Sequence, residues 1–198
     1  MSVRRMKMLK NDDFDPYYFI KNLPELSSVV PAFRPVLLPK QTRSCPSTTL
    51  VLDLDETLVH STLEPCDDAD FTFSVNFNLK DHTVYVRCRP HLTDFLERVS
   101  RLFEIIIFTA SQSIYAEQLL NVLDQGGKSF AIEFTVIPAF GFQVDNGIPI
   151  ESWFDDRSDA ELLLLLPFLE SLVGVQDVRP FIARKYNLRE KIEAAVPP

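Results

Sequence analysis

The 198-residue sequence predicts an α/β domain built on a parallel sheet, with a small antiparallel β insert. Three observations carry that prediction. Two apolar, β-branched runs, Thr49 to Leu52 and Leu102 to Phe108, have the length and composition of fully buried strands, and each ends abruptly in polar residues. Between them, Leu92, Phe95, Leu96 and Val99 recur at helical spacing. Phe71 to Leu79 alternates apolar and polar residues without a break, the mark of a strand with one wet face.

In chain order, residues 1–47 carry prolines at 16, 24, 31, 35, 39 and 46 and no sustained period. They read as a leader, extended or partly disordered, with Phe33, Val36, Leu37 and Leu38 available to pack on the body. Residues 48–198 form the domain proper, with the β insert at about 64–89. In the insert, Phe71, Phe73, Val75, Phe77 and Leu79 share one face and Thr72, Ser74, Asn76 and Asn78 the other. A turn is expected at Lys80-Asp81-His82, and Val84-Tyr85-Val86 return antiparallel. Arg89-Pro90 opens the next helix, with proline at an early position. After Phe108 comes Thr109-Ala110-Ser111 and then a helix with Tyr115, Leu119 and Val122 on one side, ending near Asp124-Gln125-Gly126-Gly127. Phe130 to Ile137 is apolar enough to add a strand beside the first or second. Val144-Asp145-Asn146-Gly147 reads as a turn. Ser158-Asp159-Ala160-Glu161 reads as a capping box before the Leu-rich helix, with Asp155-Asp156 decorating that terminus.

Composition narrows the function classes. At 46% hydrophobic the chain builds a real core, and a net charge of -8 with pI near 4.9 argues against direct nucleic-acid or anionic-membrane partners. Cys45, Cys66 and Cys88 are odd in number and lack metal-ligand spacing, which fits a reducing compartment. Leu162 to Leu166, with Pro167 and Phe168 following, falls far short of the roughly 20 residues of a membrane span. Met1 to Lys10 is basic, but Asp12, Asp13 and Asp15 follow at once, unlike a transit peptide. A nuclear or cytoplasmic location is expected, a mitochondrial one less so.

The chemistry gathers where the first strand ends. Asp53 and Asp55 stand one residue apart, beyond the carboxyl end of a parallel strand, where ligands bind in open α/β sheets. Two like charges so close call for a cation or a shared proton, so a Mg²⁺-assisted site is read here, one carboxylate attacking and the other handling protons. Thr109 supplies a second signal: a hydroxyl and free N–H groups at a helix N-terminus make a phosphate cradle.

The string Asp53-Leu54-Asp55-Glu56-Thr57-Leu58-Val59, followed by His60-Ser61, resembles the first motif of the haloacid-dehalogenase-type phosphatases, and within them the small carboxy-terminal-domain phosphatases of the Fcp/Scp-like branch. Phe108-Thr109-Ala110-Ser111 matches their second motif. The resemblance implies a doubly wound, Rossmann-like parallel sheet and a phosphoserine/phosphothreonine protein phosphatase acting through an aspartyl-phosphate. The RNA polymerase II C-terminal tail is a candidate substrate. Asp53 would be the nucleophile and Asp55 the general acid and base. Thr109 and Ala110 would hold phosphoryl oxygens, and the Asp53 carboxylate with the Asp55 carbonyl would bind Mg²⁺. Phe71 and Tyr115 would line an apolar pocket, core packing being the alternative for each.

Two family parts are not found: a Lys that neutralises the phosphoryl group, and a further Asp or Asn strand end that completes the metal shell. Between Asp124 and Ala139 the pattern is interrupted, and Ala139-Phe140-Gly141-Phe142 resumes it. Roughly forty residues look replaced by about a dozen. A core truncated by an internal deletion near 125–138, as in a splice variant, and impaired activity are therefore expected. Val144-Asp145-Asn146, Asp155-Asp156 and Lys128 are weak replacements. The alternative is a catalytically dead phosphopeptide-binding or scaffold module, such as the import-receptor subunit of the mitochondrial Tim translocase, which shares the domain.

Overall fold

The computed structural model describes residues 15–22, 46–123, 133–134 and 144–197. Contacts divide the chain into two compact units. The larger, which bears the chemistry, holds the described residues 46–123, 133–134 and 149–177.

Its parallel sheet has the order β1 (Thr49–Asp53), β5 (Glu104–Phe108), β6 (Glu133–Phe134). Register runs from Thr49 opposite Glu104 to Asp53 opposite Phe108, and Ile106 and Ile107 pair with Glu133 and Phe134. The expected apolar strand after Gly127 thus takes the slot beside β5 in these two residues; the rest of Phe130 to Ile137, with Lys128, lies outside the described residues. Ile105, Ile106 and Ile107 are all buried, so β5 is covered on both faces as a doubly wound sheet requires.

β1 is different. The Glu104 N–H donates to the Thr48 carbonyl at 2.9 Å and the Leu54 N–H to the Phe108 carbonyl at 3.1 Å. In a parallel ladder alternate residues bond to the same neighbour, so Thr48, Leu50, Leu52 and Leu54 face β5. The backbone groups of Thr49, Val51 and Asp53 face the other way, where no described strand meets them. Leu52 is buried, whereas Val51 is 37% exposed.

The antiparallel sheet has the order β2 (Val59–Thr62), β4 (Lys80–Cys88), β3 (Phe71–Phe77). The hairpin turn is not at Lys80-Asp81-His82, which belong to β4. It is Asn78-Leu79, with φ of 52° and 60°. Two successive left-handed residues make the turn whose twist suits a hairpin, and Asn adopts that conformation readily. Leu79 therefore leaves the apolar face and stands 97% exposed. Thr72, Ser74 and Asn76 face solvent as their alternation requires, and the opposite face is most covered at Val75.

Helix α2 (Leu92–Ser100) begins two residues beyond Pro90, because His91 precedes it at φ 66°. Its face Leu92, Phe95, Leu96 and Val99 is wholly buried. Helix α3 is Ser113–Leu123 and α4 is Glu161–Ser171. The expected capping box at α4 does not form. Ser158 bonds to Asp156 through both its N–H and Oγ, and the Asp159 carboxylate accepts the Glu161 N–H at 3.1 Å.

Asp159 has a stronger partner. Arg89, 1% exposed, donates through Nε and Nη2 to both Asp159 oxygens at 2.8 Å, and through Nη1 to the Thr57 and Glu151 carbonyls at 3.2 and 3.1 Å. A buried guanidinium is tolerable only when its donors are used in this way.

The smaller unit holds the described residues 15–22, 144–148 and 178–197. Within the leader the described residues are not extended: α1 (Pro16–Lys21) is a helix whose Asp15 cap accepts the Tyr17 and Tyr18 N–H groups. Lys21 Nζ donates to the Glu193 and Ala195 carbonyls, both at 2.8 Å, at the end of α6 (Leu188–Ala194), which follows α5 (Arg179–Tyr186). Val144–Asn146 form a single 3₁₀ turn closed by the Gly147 N–H, and Asp145 pairs with Arg189. Pro31 to Leu38 lie outside the described residues.

Removing one member of the buried pair leaves the other uncompensated, so Arg89→Met should cost about 3–5 kcal/mol in a urea titration; a loss below 1 kcal/mol would show the pair to be incidental. Arg89 holds the Asp159 carboxyl below its ordinary value of 3.8. Its stabilisation is therefore full above that value and disappears as pH falls through the lower native one. Asp159→Asn should flatten this acid limb of a stability-versus-pH profile.

Candidate active site

Beyond Asp53 the chain makes a tight loop nailed down by Leu54 and Leu58, which are 0% and 1% exposed. The Leu58 and Val59 N–H groups both return to the Leu54 carbonyl, at 3.0 and 3.2 Å. Glu56 sits at φ 57°, a conformation unfavourable for a side-chain-bearing residue. Two hydrogen bonds hold it there: its N–H donates to the Val59 carbonyl at 2.8 Å, and its carbonyl accepts the Trp153 N–H at 2.7 Å. Trp153 is itself buried, its indole N–H on the Asp156 carbonyl.

This loop gives the two acids unlike surroundings. Asp53 is exposed at the strand end and its Oδ2 accepts from Thr57 Oγ1 at 2.9 Å. Adjacent protein still strips water from part of the carboxylate, which is the main cause raising its pKa above 3.8. The Thr57 hydroxyl and Leu54 N–H oppose that rise, while the charges of Asp55 and Glu56 add to it.

Asp55 is surrounded by hydroxyls. Its Oδ2 accepts from Thr109 Oγ1 and Ser111 Oγ, each at 2.8 Å, and its Oδ1 from Tyr115 OH at 2.8 Å. Thr109 is 5% exposed at the end of β5, and its Oγ1 accepts the Ser111 N–H at 3.0 Å. Ala110 is exposed, and its N–H makes no hydrogen bond among the described residues. Tyr115 lies on the first turn of α3, its hydroxyl 2.7 Å from Ser61 Oγ on β2. Burial, then the charge of Asp55, pushes its phenol far above the ordinary value of 10.0.

The structure thus brings Asp55, Thr109 and Tyr115 together and leaves Asp53 beside them on the open side of the loop. Phe71 stacks on Phe73 at 6.4 Å between centroids, and Phe73 meets the Tyr115 ring at 5.9 Å. Tyr115 is therefore more than a pocket wall, because its polar end belongs to the Asp55 network. Ser61 and Ser111 escaped the sequence reading as site residues. Ser111 was the findable one, two residues beyond Thr109 in the same hydroxyl-bearing turn; Ser61 sits on a different strand and carries no local signal.

Mg²⁺ prefers near-octahedral oxygen ligation and usually keeps several waters. Of the residues assigned to it, the Asp53 carboxylate and Asp55 carbonyl are oxygen donors of the right kind. Among the described residues no group of three His, Cys, Asp or Glu side chains could hold a metal. The set is right in kind and short in number. Lys80, at the hairpin turn, is the one described lysine of this unit, and its described arginines, Arg87, Arg89, Arg98, Arg101 and Arg157, are all paired with carboxylates.

Comparison with known proteins matches the family model described as NLI interacting factor-like phosphatase, in two pieces, residues 48–137 and 136–179. The chain is 43% identical to CTD small phosphatase-like protein 2 of Dictyostelium discoideum, covering 92% of this chain and 37% of that protein. It is 41% identical to CTD small phosphatase-like protein 3 of Caenorhabditis elegans, covering 91% and 73%. Identity to the human carboxy-terminal domain RNA polymerase II polypeptide A small phosphatase 1 is 37%, covering 79% and 72%. The chain therefore spans little more than a third of the Dictyostelium relative. That alignment runs over 212 positions, yet 92% of 198 residues is only about 182, so about 30 positions of the relative face no residue here. The human alignment, 188 positions against 79% of the chain, leaves about the same number.

Thr57 opposes the rise in the Asp53 pKa more than any other group. Thr57→Val should raise that pKa further, measured by carboxyl ¹³C NMR titration; an unchanged or lower value would contradict the hydrogen bond.

Proposed function

Because the chain belongs to the NLI interacting factor-like phosphatase family, we propose that it is an Fcp/Scp-type phosphoprotein phosphatase domain whose turnover is impaired in this form. The single observation carrying the reading is the junction of β1 and β5, where two carboxylates in unlike surroundings meet the hydroxyls of Thr109 and Ser111 and the Ala110 N–H, which makes no hydrogen bond among the described residues.

In the proposed reaction an Asp53 oxygen attacks phosphorus of a phosphoserine or phosphothreonine. The P–O bond to the substrate breaks, and Asp55 gives its proton to the departing oxygen. Water, losing a proton to Asp55, then attacks the aspartyl-phosphate and releases phosphate. Oriented donors matter because charge develops on the phosphoryl oxygens. The substrate class follows from the family, and the name of the human relative points to the RNA polymerase II C-terminal tail.

Impairment is supported by the short metal set and the single lysine among the described residues of the larger unit, and by the gap. About 30 positions suffice for a crossover helix and a parallel strand. The outer edge of β1, where such a strand would pair, is open among the described residues. The two-piece family match meets at 136–137, inside the interval 125–138 read from the sequence. No described helix is long and apolar enough to cross a membrane. A phosphopeptide-binding module without turnover is the second reading, favoured by an assembled cradle beside an incomplete metal set.

Losing two preorganised groups costs about a hundredfold or more each, so turnover of an aryl phosphate with Mg²⁺ should fall about 10⁴-fold below that of the worm relative assayed in parallel. Activity above an Asp53→Asn control supports the impaired enzyme, and activity equal to it supports the binding module. Grafting the relatives' segment at residue 136 should recover at least a hundredfold; a folded graft that recovers nothing would sink the missing-segment explanation.

A further inference from the structure

The hydroxyls that should receive phosphate are already engaged. Thr109 Oγ1 and Ser111 Oγ both donate to one oxygen of Asp55, and Tyr115 OH donates to the other. A carboxylate thus stands on donors suited to a phosphoryl oxygen, and it must turn away before substrate can use them.

We propose that Tyr115, backed by Ser61, is a latch that holds the Asp55 carboxylate across the phosphate donors, and that phosphate binding requires this latch to open. The inference rests on the reading of Thr109 and Ser111 as phosphate donors.

The hydrogen inventory gives the latch two states. A tyrosine hydroxyl has one proton. While Tyr115 donates that proton to Asp55, the 2.7 Å contact with Ser61 is made by the serine proton. When Asp55 leaves, Tyr115 loses its acceptor in a largely buried place. Ser61 then supplies a replacement: the tyrosine proton turns to Ser61 Oγ, and the serine proton turns elsewhere. Without Ser61, opening would leave a buried hydroxyl unsatisfied, which is costly. Phe73 against the Tyr115 ring keeps the phenol aimed throughout.

Tyr115 and Ser61 are therefore positioning residues with opposite effects. Tyr115 favours the closed state, and Ser61 lowers the cost of the open one. A purely structural role would weaken binding in both variants.

The test is titration of the full chain with inorganic phosphate, followed by calorimetry or ³¹P NMR. Tyr115→Phe should tighten phosphate binding by about tenfold to a hundredfold, since it removes one hydrogen bond to a charged group. Ser61→Ala should weaken binding by a few-fold and Ser61→Thr should restore it. Because Ser61 acts through Tyr115, the double variant Tyr115→Phe with Ser61→Ala should match Tyr115→Phe alone. Phosphate binding that is unchanged or weaker in a folded Tyr115→Phe overturns the latch and leaves the phosphatase reading standing. Absence of phosphate binding from the parent chain and every variant overturns both.

Discussion

The buried guanidinium of Arg89 is the interaction on which the rest of the large unit depends. It stands at the junction of β4 and α2, and its donors reach the Thr57 carbonyl in the acidic loop and, about a hundred residues further along the chain, the Glu151 carbonyl and the Asp159 carboxylate before α4. Lysine has no rigid fork with which to do this, since the bidentate carboxylate grip and the sideways reach to carbonyls come from one planar group. With the loop anchored from below by Arg89 and from the side by Trp153, Glu56 can persist in its left-handed conformation. The unlike placement of Asp53 and Asp55 follows from that fixed loop.

Placement then decides chemistry. Two aspartates one residue apart would behave alike in an unfolded chain. Here one lies open at a strand end with a single side-chain donor, and the other is enclosed by hydroxyls from β5, the turn after it and α3. In the proposed reaction the open acid meets phosphorus and the one wired into a group of hydroxyls exchanges protons, a division of labour between adjacent carboxylates.

Much of this was legible in the residues. Apolar runs marked β1 and β5, helical spacing marked the buried face of α2, and the acidic string and Thr109 marked the candidate site, whose Asp55 and Thr109 are hydrogen-bonded. Local rules failed where a local choice was overruled. Leu79 gave no hint that it would leave an apolar face to occupy a left-handed turn, because alternation reports a pattern and not its end. Asp159 looked like part of a cap, but its partner Arg89 lies 70 residues away, a separation no window spans. Arg89 itself carried no signal, since arginine is ordinarily a surface residue. Ser61 joined the site through β2 pairing, which sequence spacing does not encode.

The outward row of Thr49, Val51 and Asp53 has a consequence apart from catalysis. A strand edge with unused backbone groups is a template for any extended polypeptide, and natural edges are usually blunted by lysine, proline or a bulge. The five residues of β1 include none of these. The strand that carries Asp53 is thus also, among the described residues, an unpaired edge of the parallel sheet. An extended segment that paired there would meet the same five residues that carry Asp53 to the site.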